Sequence, residues 1–532
     1  MNKNIQNLSI VLVIMFFALI ISTSIIQVFY YSDYWNNTWN PRSVYDTINV
    51  DRGKIFASDG TTIIAQSTET DTKVKNIKFQ RSYPFGSLYS SVTGFYSIVN
   101  KSESGLESSF NDVLSGKYEN AKPSSIIKNL IEPQKTGYNL ITTLDHNLQT
   151  TADTAIGNYQ GSIVILDADD GSILSMVSKP DYDPNLLASI NGTTAGAEYS
   201  KLVMDESGKN PDPNSRLLNK ATSKLYPPGS TFKTIISLTA LKNDYKPDSI
   251  LEAPDQLTLS NSSSVLHNFN NKACSASKTI TLQEALNVSC NTAFSILGTK
   301  LGSEKVKEVA EDFGYNKPIV IDDNKNFLEK FAKNLLPSSS SGFSTNTVAS
   351  VFPDIASDDR LELASIGQGD VRVTPLQNAL TAAMIANGGK NIKPHFVSSI
   401  TDSQMKTQTE FNYDTGLDLG SSKYSQLKEI MTEIVQKTPA YSSFKINGMT
   451  IGAKTGTAQT GNSDIPLAWV IGFANVDSNN SGSKASSGAG SGSGSYSGRN
   501  LAFALVVENG TETSTGANVA IPIMQKILGS LV

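Results

Sequence analysis

Residues 226–234, Tyr-Pro-Pro-Gly-Ser-Thr-Phe-Lys-Thr, constrain this chain more than any other stretch. Two consecutive prolines and a glycine do not fit inside a regular element, so they mark the end of an incoming loop. Phe232, Ile235, Ile236, Leu238, Ala240 and Leu241 follow and predict a mostly buried helix. Ser230 therefore falls in the first helical turn, where free backbone N–H groups and the positive dipole end favour a developing negative charge. Lys233 stands three residues on, and positions i and i+3 share a helix face. Burial disfavours a charged amine, so Lys233 is suited to take the proton of the Ser230 hydroxyl as base. The bare spacing is common: it recurs at Ser125/Lys128, Ser275/Lys278, Ser425/Lys428 and Ser442/Lys445. Only Ser230/Lys233 joins a Pro-Pro-Gly approach to an apolar helix.

With 532 residues the chain has room for two or more domains. Its net charge of -5 gives no basic footprint, so no nucleic-acid partner is expected. The three histidines, His146, His267 and His395, form no metal-like cluster, which argues against zinc or a Ser-His-Asp triad and implies no cofactor. Lys3 precedes an apolar run over 8–29, about the length that crosses ~30 Å of hydrocarbon and longer than the core of a cleaved signal peptide. We read it as an uncleaved membrane anchor, with residues 1–7 inside and the rest of the chain on the outer face; a signal peptide cut near Ser22 to Ser24 is the alternative. Cys274 and Cys290 could bridge in an oxidising exterior, contributing about 3 kcal/mol, or remain as two buried thiols.

After the anchor, residues 31–136 mix β-prone runs (61–65, 92–99) with turns, and a short helical segment follows Gly105-Leu106-Glu107. This part reads as a pedestal whose charged residues pack or face solvent. From Leu140 the texture is that of a compact domain. Asp145 caps a helix, strands over 162–166 and 173–177 flank the hairpin signal Asp169-Asp170-Gly171, and 180–219 reads as loop-rich. Thr281 and Glu284 form a capping-box pattern for a helix ending near Val288. Ser303 is expected to cap a helix that stops at Gly314, and Thr374-Pro375 opens another. Strands follow at 449–453, 468–474 and 501–507, with a Ser/Gly-rich loop over 477–499 expected to be disordered. The segment 519–528 predicts a final helix. Strands at both ends with helices between imply an α+β domain, its antiparallel sheet completed by distant segments.

In chain order the candidate site is Ser230-x-x-Lys233, Ser289-x-Asn291 and Lys454-Thr455-Gly456, on a helix start, an inter-helix loop and a strand. Decoys exist at Ser189/Asn191, Ser344/Asn346 and Lys135-Thr136-Gly137. With Gly161 to Asn185, Gly367-Gln368-Gly369, Thr374-Pro375-Leu376-Gln377 and Thr457-Ala458, these motifs make the chain resemble the penicillin-binding protein and serine β-lactamase superfamily. The anchor and a pedestal with Arg52-Gly53 and Gly105-Leu106-Glu107 make it similar to a class B penicillin-binding protein. It departs from that pattern at Ala57-Ser58, where an acidic residue and arginine are usual, and at Cys290, where Asp is frequent.

The resemblance implies an α+β architecture: a cytoplasmic tail (1–7), a transmembrane helix (8–29), a mixed β-rich pedestal of dimerisation type (30–140) and a transpeptidase domain (141–532). That domain would hold a five-stranded antiparallel sheet flanked by helices, and an all-helical subdomain. It also implies a peptidoglycan D,D-transpeptidase that crosslinks stem peptides and binds β-lactams. Ser230 would be nucleophile, Lys233 base, Ser289 a proton relay and Lys454 a second positive charge. Asn291, Thr455, Gly456 and Thr457 would bind substrate, and the N–H groups of Ser230 and Thr457 would form the oxyanion hole. Gly456, lacking a side chain, would let substrate lie along the strand. A membrane glycosyltransferase is the implied partner. The alternatives are a D,D-carboxypeptidase or β-lactamase-type hydrolase, a β-lactam sensor, and a scaffold whose catalysis is dispensable. No Glu-x-x-Leu-Asn segment lies between the second and third motifs to activate water, which argues against a class A β-lactamase.

Overall fold

The computed structural model describes residues 3–30, 50–70, 77–116, 136–205, 207–212, 214–323, 345–413, 416, 418–460, 465–477 and 496–532. Residues 1–2 of the expected tail, most of the Ser/Gly-rich loop and the decoys at Lys135 and Ser344 lie outside the described residues, whereas residues 3–7 of that tail are already helical. The first helix, Lys3–Phe29, contains Asn7–Ile26, a stretch of mean hydropathy 2.7 with no part of it buried. By length and composition it can cross a membrane.

The pedestal is built on a six-stranded sheet, in spatial order Thr407–Glu410, Val397–Thr401, Asn139–Thr142, Ile55–Phe56, Ile63–Glu69 and Phe79–Ser82. Asn139–Thr142 runs parallel to Ile55–Phe56 and antiparallel to Val397–Thr401. Two strands of the sheet thus come from deep inside the second half of the chain. The strand expected from Thr61 begins at Ile63, because the N–H groups of Thr61 and Thr62 both donate to Asp59 Oδ1 and close a turn. The β-prone run 92–99 instead starts as the helical turn Ser90–Thr93, with the Thr93 hydroxyl bonded to the Tyr89 carbonyl. Gly94 (φ +66°) then breaks it, leaving only Tyr96–Ser97 as strand.

Behind this sheet lies a buried ionic cluster. Glu107, in the helix Gly105–Ser109, takes Arg52 Nε on Oε2 at 2.7 Å and Arg81 Nε on Oε1 at 2.6 Å. Arg52 also donates to the Glu107 carbonyl and to Asn111 Oδ1, both at 2.6 Å, and stacks 4.2 Å above the Tyr96 ring. The two guanidinium groups hold the Glu107 carboxyl below its usual range against the opposing effect of burial. These charges, read from sequence as packing or solvated-face residues, form the polar centre of the pedestal.

The second half carries a five-stranded antiparallel sheet, in order Met449–Ala458, Leu467–Val476, Asn500–Val507, Gly161–Asp167 and Ile173–Lys179. Its three central strands are almost wholly buried, so both faces are covered. Two helix groups do this: His146–Ile156 with Ile521–Gly529, and Pro375–Ala386 with Ser422–Lys437. All twelve residues of Pro375–Ala386 are buried. A helical subdomain of Leu282–Asn287, Asn291–Leu301, Ser303–Asp312 and Asp358–Ala364 gathers around Lys233–Lys242.

Asp145, Thr281 and Thr374 cap their helices as the sequence suggests. Glu284 does not reach back to close a capping box; its carboxylate accepts from Asn287 instead. Ser303 is the first helical residue, not the cap, because Gly302 (φ +87°) occupies the cap position. The stretch 180–219 is less loop-like than its composition suggests, with helices Pro184–Ala188 and Gly192–Val203 capped by Asp183 and Asn191. The decoy Asn191 is therefore a helix cap.

Candidate active site

Tyr226 pairs with Val373 through both its N–H and its carbonyl, at 2.9 and 2.8 Å, which fixes where the Pro-Pro-Gly turn starts. The buried Trp469 indole donates to the Pro227 carbonyl at 3.1 Å and meets the Tyr226 ring edge-on. Gly229 has φ +55°, and an added Cβ would lie 2.9 Å from the Thr457 carbonyl, so only glycine fits where the turn crosses the strand Met449–Ala458. Ser230 follows, half-buried, in the 3₁₀ turn Gly229–Phe232 that leads into Lys233–Lys242. With three residues per turn, i and i+3 eclipse, and Lys233 comes directly over Ser230.

Lys233 is fully buried, and its Nζ lies 3.1 Å from Ser230 Oγ. Nζ also donates to Asn291 Oδ1 at 2.7 Å and to the Ser289 carbonyl at 2.8 Å, with Ser289 Oγ at 3.3 Å. Burial first, and the positive charge of Lys454 second, push the Lys233 amine well below its ordinary range. A neutral amine has two N–H protons and one lone pair. Asn291 and the Ser289 carbonyl take the protons, which leaves the lone pair facing the Ser230 hydroxyl.

The second motif reaches this amine through a turn. Ser289 has φ +59°, uncommon for a residue with a side chain, and sits between Leu282–Asn287 and Asn291–Leu301. Asn291 turns Oδ1 to Lys233 because its Nδ2 donates to the His267 carbonyl at 2.9 Å. Cys274 and Cys290 are joined as a disulfide, with Cα atoms 5.8 Å apart, and so tie down the residue between Ser289 and Asn291.

The third motif lies inside Met449–Ala458, a strand five residues longer than the polar Lys-Thr-Gly-Thr run suggests. Lys454 is 1% exposed; its Nζ donates to Ser289 Oγ at 3.0 Å and to the Thr455 carbonyl at 2.9 Å, and burial lowers its pKa to about 7. Lys454 and Gly456 face inward, whereas Thr455 and Thr457 share the half-exposed face. The direction in which a Gly456 Cβ would point is filled: it would meet the Pro228 carbonyl at 2.9 Å and Thr231 Cγ2 at 3.0 Å. The glycine thus lets the strand lie against the Ser230 turn, a packing reason beside the substrate passage expected of it.

This strand is the edge of its sheet. The Thr455 N–H points away from the neighbouring strand, to Tyr441 Oη at 2.8 Å. Residues two apart repeat that orientation, so the Thr457 N–H faces the open edge as well, beside the Ser230 turn.

Five of the six polar side chains of the three motifs, Ser230, Lys233, Ser289, Asn291 and Lys454, therefore join one hydrogen-bonded cluster, while the sixth, Thr455, bonds Tyr441. Of the histidines, His267 supplies only its carbonyl. Sequence reasoning missed Tyr441, Trp469 and Glu508. Glu508 accepts from Tyr226 Oη at 2.5 Å and pairs with Lys220 at 2.9 Å and Lys224 at 3.1 Å, buttressing the turn from outside. Their contacts span from 14 residues to the 288 between Lys220 and Glu508, and only the Glu508 ion pairs leave a charge signal, with nothing in the chain to match the partners.

Residues 161–482 match the penicillin binding protein transpeptidase domain, and 52–140 match the penicillin binding protein A dimerisation domain. The chain is 32% identical to the peptidoglycan D,D-transpeptidase PbpA of Mycolicibacterium smegmatis, over 98% of this chain and 97% of that protein. It is 30% identical to PbpA of Mycobacterium tuberculosis, over 99% and 98%. Among solved structures, the ceftriaxone acyl-enzyme complex of penicillin-binding protein A from M. tuberculosis superposes with a TM-score of 0.76 at 30% identity, covering 92% of this chain and 100% of that one. The penicillin G acyl-enzyme complex gives 0.72 at 29% identity, covering 91% and 100%. With these matches, and with the Ser230 turn, polar cluster and open strand edge brought together by the three motifs, the chain belongs to the penicillin-binding protein transpeptidase family, among its class B members.

Proposed function

We propose that this protein is a peptidoglycan D,D-transpeptidase that works through an acyl-enzyme on Ser230. The observation that carries this reading is the contact of Ser230 Oγ with a buried, proton-poor Lys233 amine whose N–H groups are already engaged. Ser230 Oγ attacks the carbonyl between the two terminal D-alanines of a stem peptide as Lys233 Nζ takes its proton. The Ser230 and Thr457 N–H groups stabilise the oxyanion. As the C–N bond breaks, the proton passes through Ser289 to the departing D-alanine nitrogen. Lys454, with the hydroxyls of Thr455 and Thr457, holds the terminal carboxylate, and Asn291 the peptide amide. The amine of a neighbouring stem then attacks the ester, loses its proton to the cluster and frees Ser230, leaving a new amide crosslink.

β-Lactams enter the same first step, and the relatives' acyl-enzyme complexes support that reading. The apolar helix Lys3–Phe29 anchors the chain with its short end inside, and a membrane glycosyltransferase is the expected partner. The test is intact mass after incubation with penicillin. Wild type gains one penicilloyl adduct and Ser230→Ala gains none; labelling of the alanine variant at the wild-type rate would refute the assignment.

A further inference from the structure

The carboxylate end of this site contains a residue outside the three motifs. Tyr441 lies in the turn Pro439–Phe444, between the helix Ser422–Lys437 and the strand Met449–Ala458. The turn is held at both ends: the Tyr441 N–H donates to the Thr438 carbonyl at 3.0 Å, and the Phe444 ring meets Phe503 edge-on at 6.1 Å. The side chain is 3% exposed, and both hydrogen bonds of its hydroxyl go to Thr455. Oη accepts from the Thr455 N–H at 2.8 Å and shares a second bond with Thr455 Oγ1, also at 2.8 Å.

Counting protons assigns the direction of that second bond. A phenol carries one proton and two lone pairs, and the Thr455 N–H uses one lone pair. Burial raises the Tyr441 pKa to about 12, so the phenol keeps its proton at neutral pH. Among the described residues Thr455 Oγ1 is the acceptor within reach, so Oη donates to it. The proton of Thr455 itself is then left to point into the cleft, on the half-exposed face it shares with Thr457. The same contact has a backbone consequence. With its Thr455 N–H taken, the open strand edge can accept an extended peptide at Thr457 but not beyond it.

We propose that Tyr441 is a positioning residue for recognition of the substrate's terminal carboxylate. It acts through Thr455, fixing that hydroxyl as a donor and ending the free strand edge, so that a bound peptide stops where its carboxylate meets Thr455. The proposal rests on the reading of Lys454, Thr455 and Thr457 as the carboxylate subsite.

The experiment compares the full-length protein with Tyr441→Phe, Thr455→Val and the double variant. Each is titrated with benzylpenicillin and with its methyl ester, which lacks the anion, and acylation of Ser230 is followed by intact mass. Tyr441→Phe is expected to slow the free acid about tenfold, the worth of one well-placed hydrogen bond, and to leave the ester within about twofold. In the double variant the free acid should react no more slowly than in Thr455→Val. The acid-to-ester ratio does not depend on how much protein is folded, so loss of stability cannot mimic this result. Equal slowing of acid and ester, or additive losses in the double variant, would overturn the proposal. If Thr455→Val slows the acid and Tyr441→Phe does not, the proposal fails alone. If Thr455→Val leaves the acid rate unchanged, the subsite reading fails and takes the proposal with it.

Discussion

Two lysines within one polar cluster cannot both be ordinary cations. Lys233 is driven toward neutrality by burial and by Lys454, whose own pKa falls to about 7. Acylation by penicillin should therefore climb with pH as Lys233 gives up its proton, and, on the proposed role of Lys454 in holding the carboxylate, fall as Lys454 loses its charge above about 7. A stopped-flow profile of the second-order rate checks this. In Lys454→Met the rising limb should move to higher pH, since the repulsion that depressed Lys233 has gone. Stability follows the opposite preference. An unfolded Lys454 takes up a proton below its ordinary 10.5 whereas the folded one waits until about 7, so the folded state loses stability as pH falls across that window. Lys454→Met, of similar volume, should raise stability at pH 7 by about 1–2 kcal/mol in thermal unfolding while acylation becomes slower but stays measurable.

At the scale of elements, the strand Met449–Ala458 and the Ser230 turn approach backbone to backbone, because Gly229 faces the Thr457 carbonyl and Gly456 faces the Pro228 carbonyl. Gly456→Ala should force them apart at a cost of about 1–3 kcal/mol. Penicillin acylation should fall more steeply than the melting temperature, since the Thr457 N–H moves away from Ser230. The strand also marks where reading from sequence succeeds and stops. Its apolar start was legible, but the Lys-Thr-Gly-Thr run looks like a strand's end, because a buried lysine carries the letter of a solvent-exposed one. The three motifs could be ordered from sequence because each is local and each sits on a recognisable element. Tyr441 could not, since its partner lies 14 residues away across a turn with no fixed spacing. Gly192–Val203 was hidden by its glycines and threonines, weak helix formers that Asn191 stabilises by capping.

At the scale of the molecule, the pedestal depends on one carboxylate. Glu107→Gln would leave two buried guanidinium groups short of charge, and is expected to cost about 3–5 kcal/mol in chemical denaturation. Glu107 is held below its usual 4.5, so its contribution is present above that value and disappears as pH falls through the lower folded one. Wild type should lose pedestal stability on acidification more steeply than the Gln variant.

The six-stranded sheet has a further effect on how the protein can be handled. Val397–Thr401 and Thr407–Glu410 leave the catalytic half to pair beside Asn139–Thr142. A recombinant fragment beginning after residue 142 would strip the inner border of that ribbon and leave a row of amide groups ready to stick to any passing chain. Severing the chain after residue 142 should yield aggregates, not a free-standing enzyme, because the two halves share one sheet.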